Sequence, residues 1–185
     1  MLIFEESSPK NTAVALNIAF NKAIELSTDI VLSTTTGASA LTAMKLAAER
    51  NFKCPVIVVT HVWGMKYAGE NELPEKKRKK LESAGAVLVT AAHALSGTER
   101  ALSGKFGGVY PVEIIAHTLR MLSQGVKVCV EITSMALDAG VLKGPYPVVA
   151  LGGTGMGLDT ACVITPGYSA KIFEARVHEI LCKPY

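Results

Sequence analysis

Four short apolar runs, each leading into Thr, Ser or Gly, constrain this chain more than any other feature: IVLS at 30–33, PVIVVT at 55–60, AVLVT at 86–90 and PVVALGG at 147–153. Strands that are apolar throughout are buried on both faces. Segments of helical periodicity separate the runs, so consecutive strands must be joined by right-handed crossovers. The predicted fold class is α/β: a three-layer α/β/α sandwich around a mostly parallel sheet. Hydrophobic residues make up 49% of the 185 positions and charged residues 19%, which is enough for one well-filled core. With aromatics at only 6%, that core must be largely aliphatic. No repeat, linker or low-complexity segment interrupts the pattern, so residues 1–185 are expected to form a single domain.

The first helix is expected over TAVALNIAFNKAIELS, with Asn11 or Thr12 as its cap and Leu16, Ala19, Phe20, Ala23 and Ile24 facing inward. ASALTAMKLAAER at 38–50 and the charged helix at 75–83 come next. Between Thr90 and Pro111, Gly97, Gly104, Gly107 and Gly108 predict an irregular surface excursion. A helix follows at 112–123. KVCVEITSMALDAG contains strand-like alternation at Val128 and Val130. It also places Val128, Ile132, Met135 and Ala139 on one helical stripe, with Lys127, Glu131, Ser134 and Asp138 on another, and ends at Gly140. The stripe predicts a helix. TACVIT at 160–165 and the alternating Phe173, Ala175 and Val177 predict two last strands. Joined by TPGYS, they should add antiparallel pairing at one edge, with the second as the edge strand.

Mean hydropathy is +0.31, but no stretch reaches the roughly 20 apolar residues that a membrane-spanning helix needs. The opening MLIFEESSPKNT does not read as a secretion signal, and a cytoplasmic location is expected. Cys54, Cys129, Cys162 and Cys182 lie far apart without a CxxC pair, so reduced, mostly buried thiols are expected and no metal site. Lys76 to Lys80 form the one basic run. It reads as the solvated face of a helix whose Leu81 and Ala84 turn inward, and without interleaved aromatics it predicts no nucleic-acid partner. The high apolar content predicts a homo-oligomer.

Ligands of open parallel sheets collect at the carboxyl ends of strands. The first such end reads Ser33, Thr34, Thr35, Thr36, Gly37, Ala38, Ser39 and runs straight into a helix. Hydroxyl donors, unpaired N–H groups and the positive end of the helix dipole suit a phosphate or carboxylate there. A helix cap would need only one hydroxyl. Gly37 is placed at the junction, where an anion would meet the N–H groups of Ala38 and Ser39.

The second end delivers Thr60, His61, Trp63 and Gly64, and the third delivers Thr90 and His93. His61 or His93 could serve as acid and base or as neutral donors, and Trp63 could stack on a planar ring. The fourth end is Gly152, Gly153, Thr154, Gly155, Met156 and Gly157, a loop that lets backbone approach a ligand closely. It matches neither a P-loop nor a dinucleotide fingerprint. Asp159 could brace this loop or contact a ligand.

DIVLSTTTGASALTAMKLAAERNFKCPVIVVT and GGTGMGLDTACVITP resemble the C-terminal α/β domain of pyruvate kinase. Through FEESSPKNT, VVTHVWGM, KVCVEITSMALDAG, GGTGMGLDTA and EILCKPY, the whole chain resembles the stand-alone pyruvate kinase C-terminal domain-like proteins. The resemblance implies phosphate binding by Ser33, Thr34, Thr35, Thr36, Gly37 and Ser39, with Gly153 to Gly157 closing the site. Ala38 stands where the effector loop of pyruvate kinase commonly has Arg, which argues against a sugar bisphosphate. The pyruvate kinase barrel has no counterpart here, so kinase activity is not expected. For the stand-alone group the resemblance implies a flavin mononucleotide (FMN) site, its ring near His61 and Trp63.

Overall fold

The computed structural model describes residues 1–185. Strand β1 (Leu2–Phe4) and a 3-10 turn at Pro9–Asn11 lead into α1 (Thr12–Leu26). Next come β2 (Ile30–Thr34), α2 (Ala38–Glu49), β3 (Val56–Thr60), α3 (Glu75–Ser83) and β4 (Val87–Thr90). Three helices, α4 (Glu99–Phe106), α5 (Pro111–Arg120) and α6 (Gln124–Asp138), precede β5 (Val148–Gly152), β6 (Thr160–Thr165) and β7 (Arg176–Pro184). One seven-stranded sheet takes the order β1-β7-β6-β5-β2-β3-β4. β6 is antiparallel to both of its neighbours and every other pairing is parallel.

The layers follow from the two-residue period of the strands. Ile30 and Leu32 of β2 pack with α1, α2 and α3, whereas Val31 between them packs with Ile132 and Met135 of α6 on the opposite face. Further along that second face, Ala150, Cys162 and Ile164 meet Val126, Cys129 and Val130. A strand covered on both sides has no polar face to show, which is why β2, β3 and β5 read as apolar throughout. The equally apolar run of β4 predicts the same burial, but β4 is an edge strand and leaves Val87 38% exposed. The three-layer α/β arrangement is the one predicted, and α6 is the helix that its stripe foretold. No helix is long and apolar enough to cross a membrane. All four cysteines are free thiols, with Cys129, Cys162 and Cys182 buried.

Several details differ from expectation. Ile24 is 49% exposed, because at 100° per residue it stands about 80° around α1 from Leu16, on the flank of the buried stripe. The glycine-rich excursion contains α4, which tolerates Gly104 on a helix with no buried residue. In α3, Ala84 is the exposed C-cap, and Ala86 takes the buried position instead. Phe173 lies in a 3-10 segment, Ser169–Glu174, so the final strand starts only at Arg176. Nor is β7 the edge, since Leu2 to Phe4 pair with Cys182 to Pro184 outside it. A three-residue strand is too short to show a period.

Candidate functional site

The chain leaves β2 toward β3 and β4, then returns across the other face to lay β5 on the opposite side of β2. Loops following adjacent strands therefore diverge beyond β2, the point where open α/β sheets form ligand crevices. A cleft of about 710 Å³ lies there, between the start of α2 and one flank of α6.

The β2–α2 loop forms one end. Ser33, Thr34, Thr35, Thr36, Ala38 and Ser39 line the cleft, joined by Thr42 one turn further along. Thr34 is also the loop's internal brace: its Oγ1 accepts the Gly37 N–H at 3.1 Å and lies 3.3 Å from Ser39 Oγ. Leu41 N–H closes the first turn on the Gly37 carbonyl at 3.0 Å. The amides of Ala38, Ser39 and Ala40 precede that bond and are the donors of the helix N-terminus. Gly37 itself does not line the cleft. It holds φ +83°, and a Cβ there would come within 2.6 Å of Leu73 Cδ1, so the glycine serves the loop's turn and the approach of the segment before α3. Lys77 also turns back onto this loop, with Nζ donating to the Thr36 carbonyl at 2.9 Å. The basic run is thus not uniformly solvated.

Thr60 and Thr90 are register partners on β3 and β4, with hydroxyls 2.7 Å apart. The residues that follow bring His61 and His93 into the cleft, ring centroids 5.3 Å apart and planes tilted by 56°. His61 Nδ1 lies 2.7 Å from Glu72 Oε2, a partner that no motif announced. Asn71 fixes this crossing, donating from Nδ2 to the His61 carbonyl at 2.8 Å and accepting the Leu73 N–H at 2.9 Å. Burial pushes the His93 pKa below its ordinary 6.5; Glu131 opposes the shift, while His61, Lys127 and Arg100 add to it.

Trp63 and Gly64 are not part of the lining. Trp63 is 57% exposed on a loop that Gly64 N–H closes on the Glu70 carbonyl at 2.9 Å, which carries both residues away from the cleft.

The opposite wall is one flank of α6: Gln124, Val128, Glu131, Ile132 and Met135. Sequence periodicity identified Val128, Ile132 and Met135 as an apolar stripe, but periodicity alone does not separate a stripe that seals a core from one that borders a cavity. Glu131 is buried, paired with Lys127 Nζ at 2.6 Å and accepting the Leu95 N–H at 3.0 Å.

Gly153, Gly155, Met156 and Gly157 close the far side. Gly152 and Thr154 stand behind them. A Cβ on Gly152 would lie 2.5 Å from the Gly125 carbonyl, so this glycine permits close packing on α6. Thr154 N–H donates to Asp159 Oδ2 at 3.2 Å. Asp159 is buried and also accepts from Ser7 Oγ at 2.7 Å and Thr160 Oγ1 at 2.8 Å, which makes it the brace of this loop. Thr12 Oγ1 accepts the Leu158 N–H at 3.0 Å. Pro9 and Thr12 thereby join the lining, a contribution invisible from positions so distant in sequence.

The strands and helices that build this cleft lie almost wholly within residues 13–164, the span matched by the family model for the pyruvate kinase alpha/beta domain, and the chain belongs to that family.

Proposed function

We propose that the cleft binds a small molecule bearing a single phosphate, held at the start of α2, with FMN as the first candidate. The observation that carries this reading is the convergence of Ser33, Thr35, Thr36 and Ser39 with the N-terminal amides of α2 at one end of the cleft. Oriented donors and a helix dipole favour an anion there without a basic side chain. The cleft volume of about 710 Å³ falls within the range of roughly 300–1,000 Å³ usual for small-molecule and cofactor sites.

The residues fit a flavin in kind. Val128, Ile132, Met135 and Met156 offer apolar surface to a planar ring, His61 and His93 offer polar groups to its edge, and the Gly153–Gly157 loop offers close backbone approach. Ring contact falls to α6 rather than to Trp63. A bound flavin would supply reversible electron acceptance, while the chain's own residues hold its phosphate and shield its ring.

Purified protein titrated with FMN and, separately, riboflavin tests both levels of the reading by absorption and fluorescence. FMN should bind far more tightly than riboflavin. Thr35→Ala should weaken FMN by about 0.5–1.5 kcal/mol, or more because the acceptor is charged. Lack of FMN binding removes the flavin, and equal binding of the two compounds removes the phosphate subsite.

A further inference from the structure

His61, Glu72 and His93 form a cluster that simple phosphate binding does not use. A carboxylate can only accept hydrogen bonds, so Glu72 Oε2, 2.7 Å from His61 Nδ1, holds a proton on that nitrogen. In the neutral ring this leaves Nε2 with its lone pair free. His61 lines the cleft, and its backbone is tied down through Asn71. Facing it at 5.3 Å between centroids is the His93 ring, set near the buried Glu131–Lys127 pair. One imidazole with a fixed tautomer beside a second, partly buried one is an arrangement suited to taking a proton from carbon and returning it.

We propose that this cluster makes the cleft a proton-transfer centre for small phosphate monoesters that carry a carbonyl group, with His61 as catalytic base, Glu72 as its positioning residue and His93 as hydrogen-bond donor to the carbonyl oxygen. The proposal rests on phosphate binding at α2 and not on the flavin.

The step balances without any further reactant. His61 Nε2 takes a proton from the carbon next to the carbonyl. The C–H electron pair becomes the C=C bond of an enolate, and the carbonyl π pair moves onto oxygen beside the His93 N–H. Return of the proton to the same carbon completes exchange. In a substrate whose first, deprotonated carbon carries a hydroxyl, passage of that hydroxyl proton to the former carbonyl oxygen and return of the carbon-bound proton to the former carbonyl carbon leave a new carbonyl on the first carbon and complete isomerisation. Burial holds the His93 pKa below its ordinary value, so near neutral pH the ring donates a hydrogen bond without first giving up its proton. Glu131 and Lys127 on α6, Arg100 on α4 and His61 after β3 are the charged or titratable groups acting on it.

The test follows loss of carbon-bound proton signals by NMR in D₂O, with dihydroxyacetone phosphate, glyceraldehyde 3-phosphate and ribose 5-phosphate as probes. Binding of inorganic phosphate is measured in parallel. The protein should accelerate exchange of at least one probe over buffer. His61→Gln and His93→Gln should each lower that rate by roughly a hundredfold or more while phosphate affinity changes less than about twofold. Glu72→Gln should slow exchange, and ¹⁵N spectra of labelled histidine should show His61 losing its single Nδ1–H tautomer, which a merely structural Glu72 would not cause.

Phosphate binding with no exchange of any probe overturns the proton-transfer proposal and leaves the binding reading standing. Absence of phosphate binding overturns both. Exchange at the wild-type rate in a folded His61→Gln or His93→Gln protein also overturns the assignment.

Discussion

At the scale of single residues, Gly37 shows how a position legible as a site residue serves the site indirectly. Its N–H is engaged by Thr34 Oγ1, its φ of +83° is left-handed, and the space its Cβ would need is held by Leu73. A comparison with Gly69 separates these effects. Gly69 has φ +76° but nothing within 4 Å of an added Cβ. Gly69→Ala should therefore cost only the left-handed strain of about 1–2 kcal/mol, whereas Gly37→Ala should cost more because Leu73 must also move. Urea unfolding of the two variants measures the difference, and equal losses would show that Leu73 yields freely. The same variant should weaken phosphate binding only through the loop it distorts, since Gly37 presents no surface to the cleft.

At the scale of elements, α6 is the helix on which both core and cleft depend. Twelve of its residues are buried, among them Lys127 and Glu131, whose side chains are 6% and 7% exposed. Removing one charge leaves the other without its partner in a poorly solvated place, which typically costs roughly 3–5 kcal/mol. Lys127→Met should thus destabilise strongly. The double variant Lys127→Met with Glu131→Gln should recover most of that loss, because neither charge remains and the amide oxygen can still accept the Leu95 N–H. Thermal or urea unfolding of the two proteins decides it; an equally unstable double variant would mean that packing rather than charge sets the cost. Glu131 lines the cleft, so the pair also keeps that wall electrically balanced.

At the scale of the whole molecule, the sheet engages both ends of the chain, since β1 and β7 pair at one edge. On the α4 and α5 side several large apolar side chains stay in solvent: Phe106 at 68%, Val109 at 74%, Ile114 at 57% and Met121 at 84% exposure. Exposed apolar surface on this scale favours self-association. We predict sedimentation as a dimer or larger species at micromolar concentration. A monomer across that range would refute it. Phe106→Glu and Ile114→Glu together should shift the distribution toward monomer if this surface is the one covered.

The sequence by itself determined the α/β architecture, because strands covered on both faces must be apolar throughout and crossover helices must show an apolar stripe. It also pointed to the ends of β2, β3 and β5 as the candidate site, since hydroxyls, histidines and glycines gather where those strands give way to loops. Tertiary structure alone decided which of those residues share one cleft. Glu72 meets His61 through a loop without any motif, and Pro9 and Thr12 reach the glycine loop across most of the chain's length. Trp63, two positions after a cleft residue in sequence, is turned outward by the same loop. Local periodicity carries information about burial, which each residue experiences individually. Convergence on a site depends on long-range pairing, and only the order of strands in the sheet brings the flank of α6 opposite the start of α2.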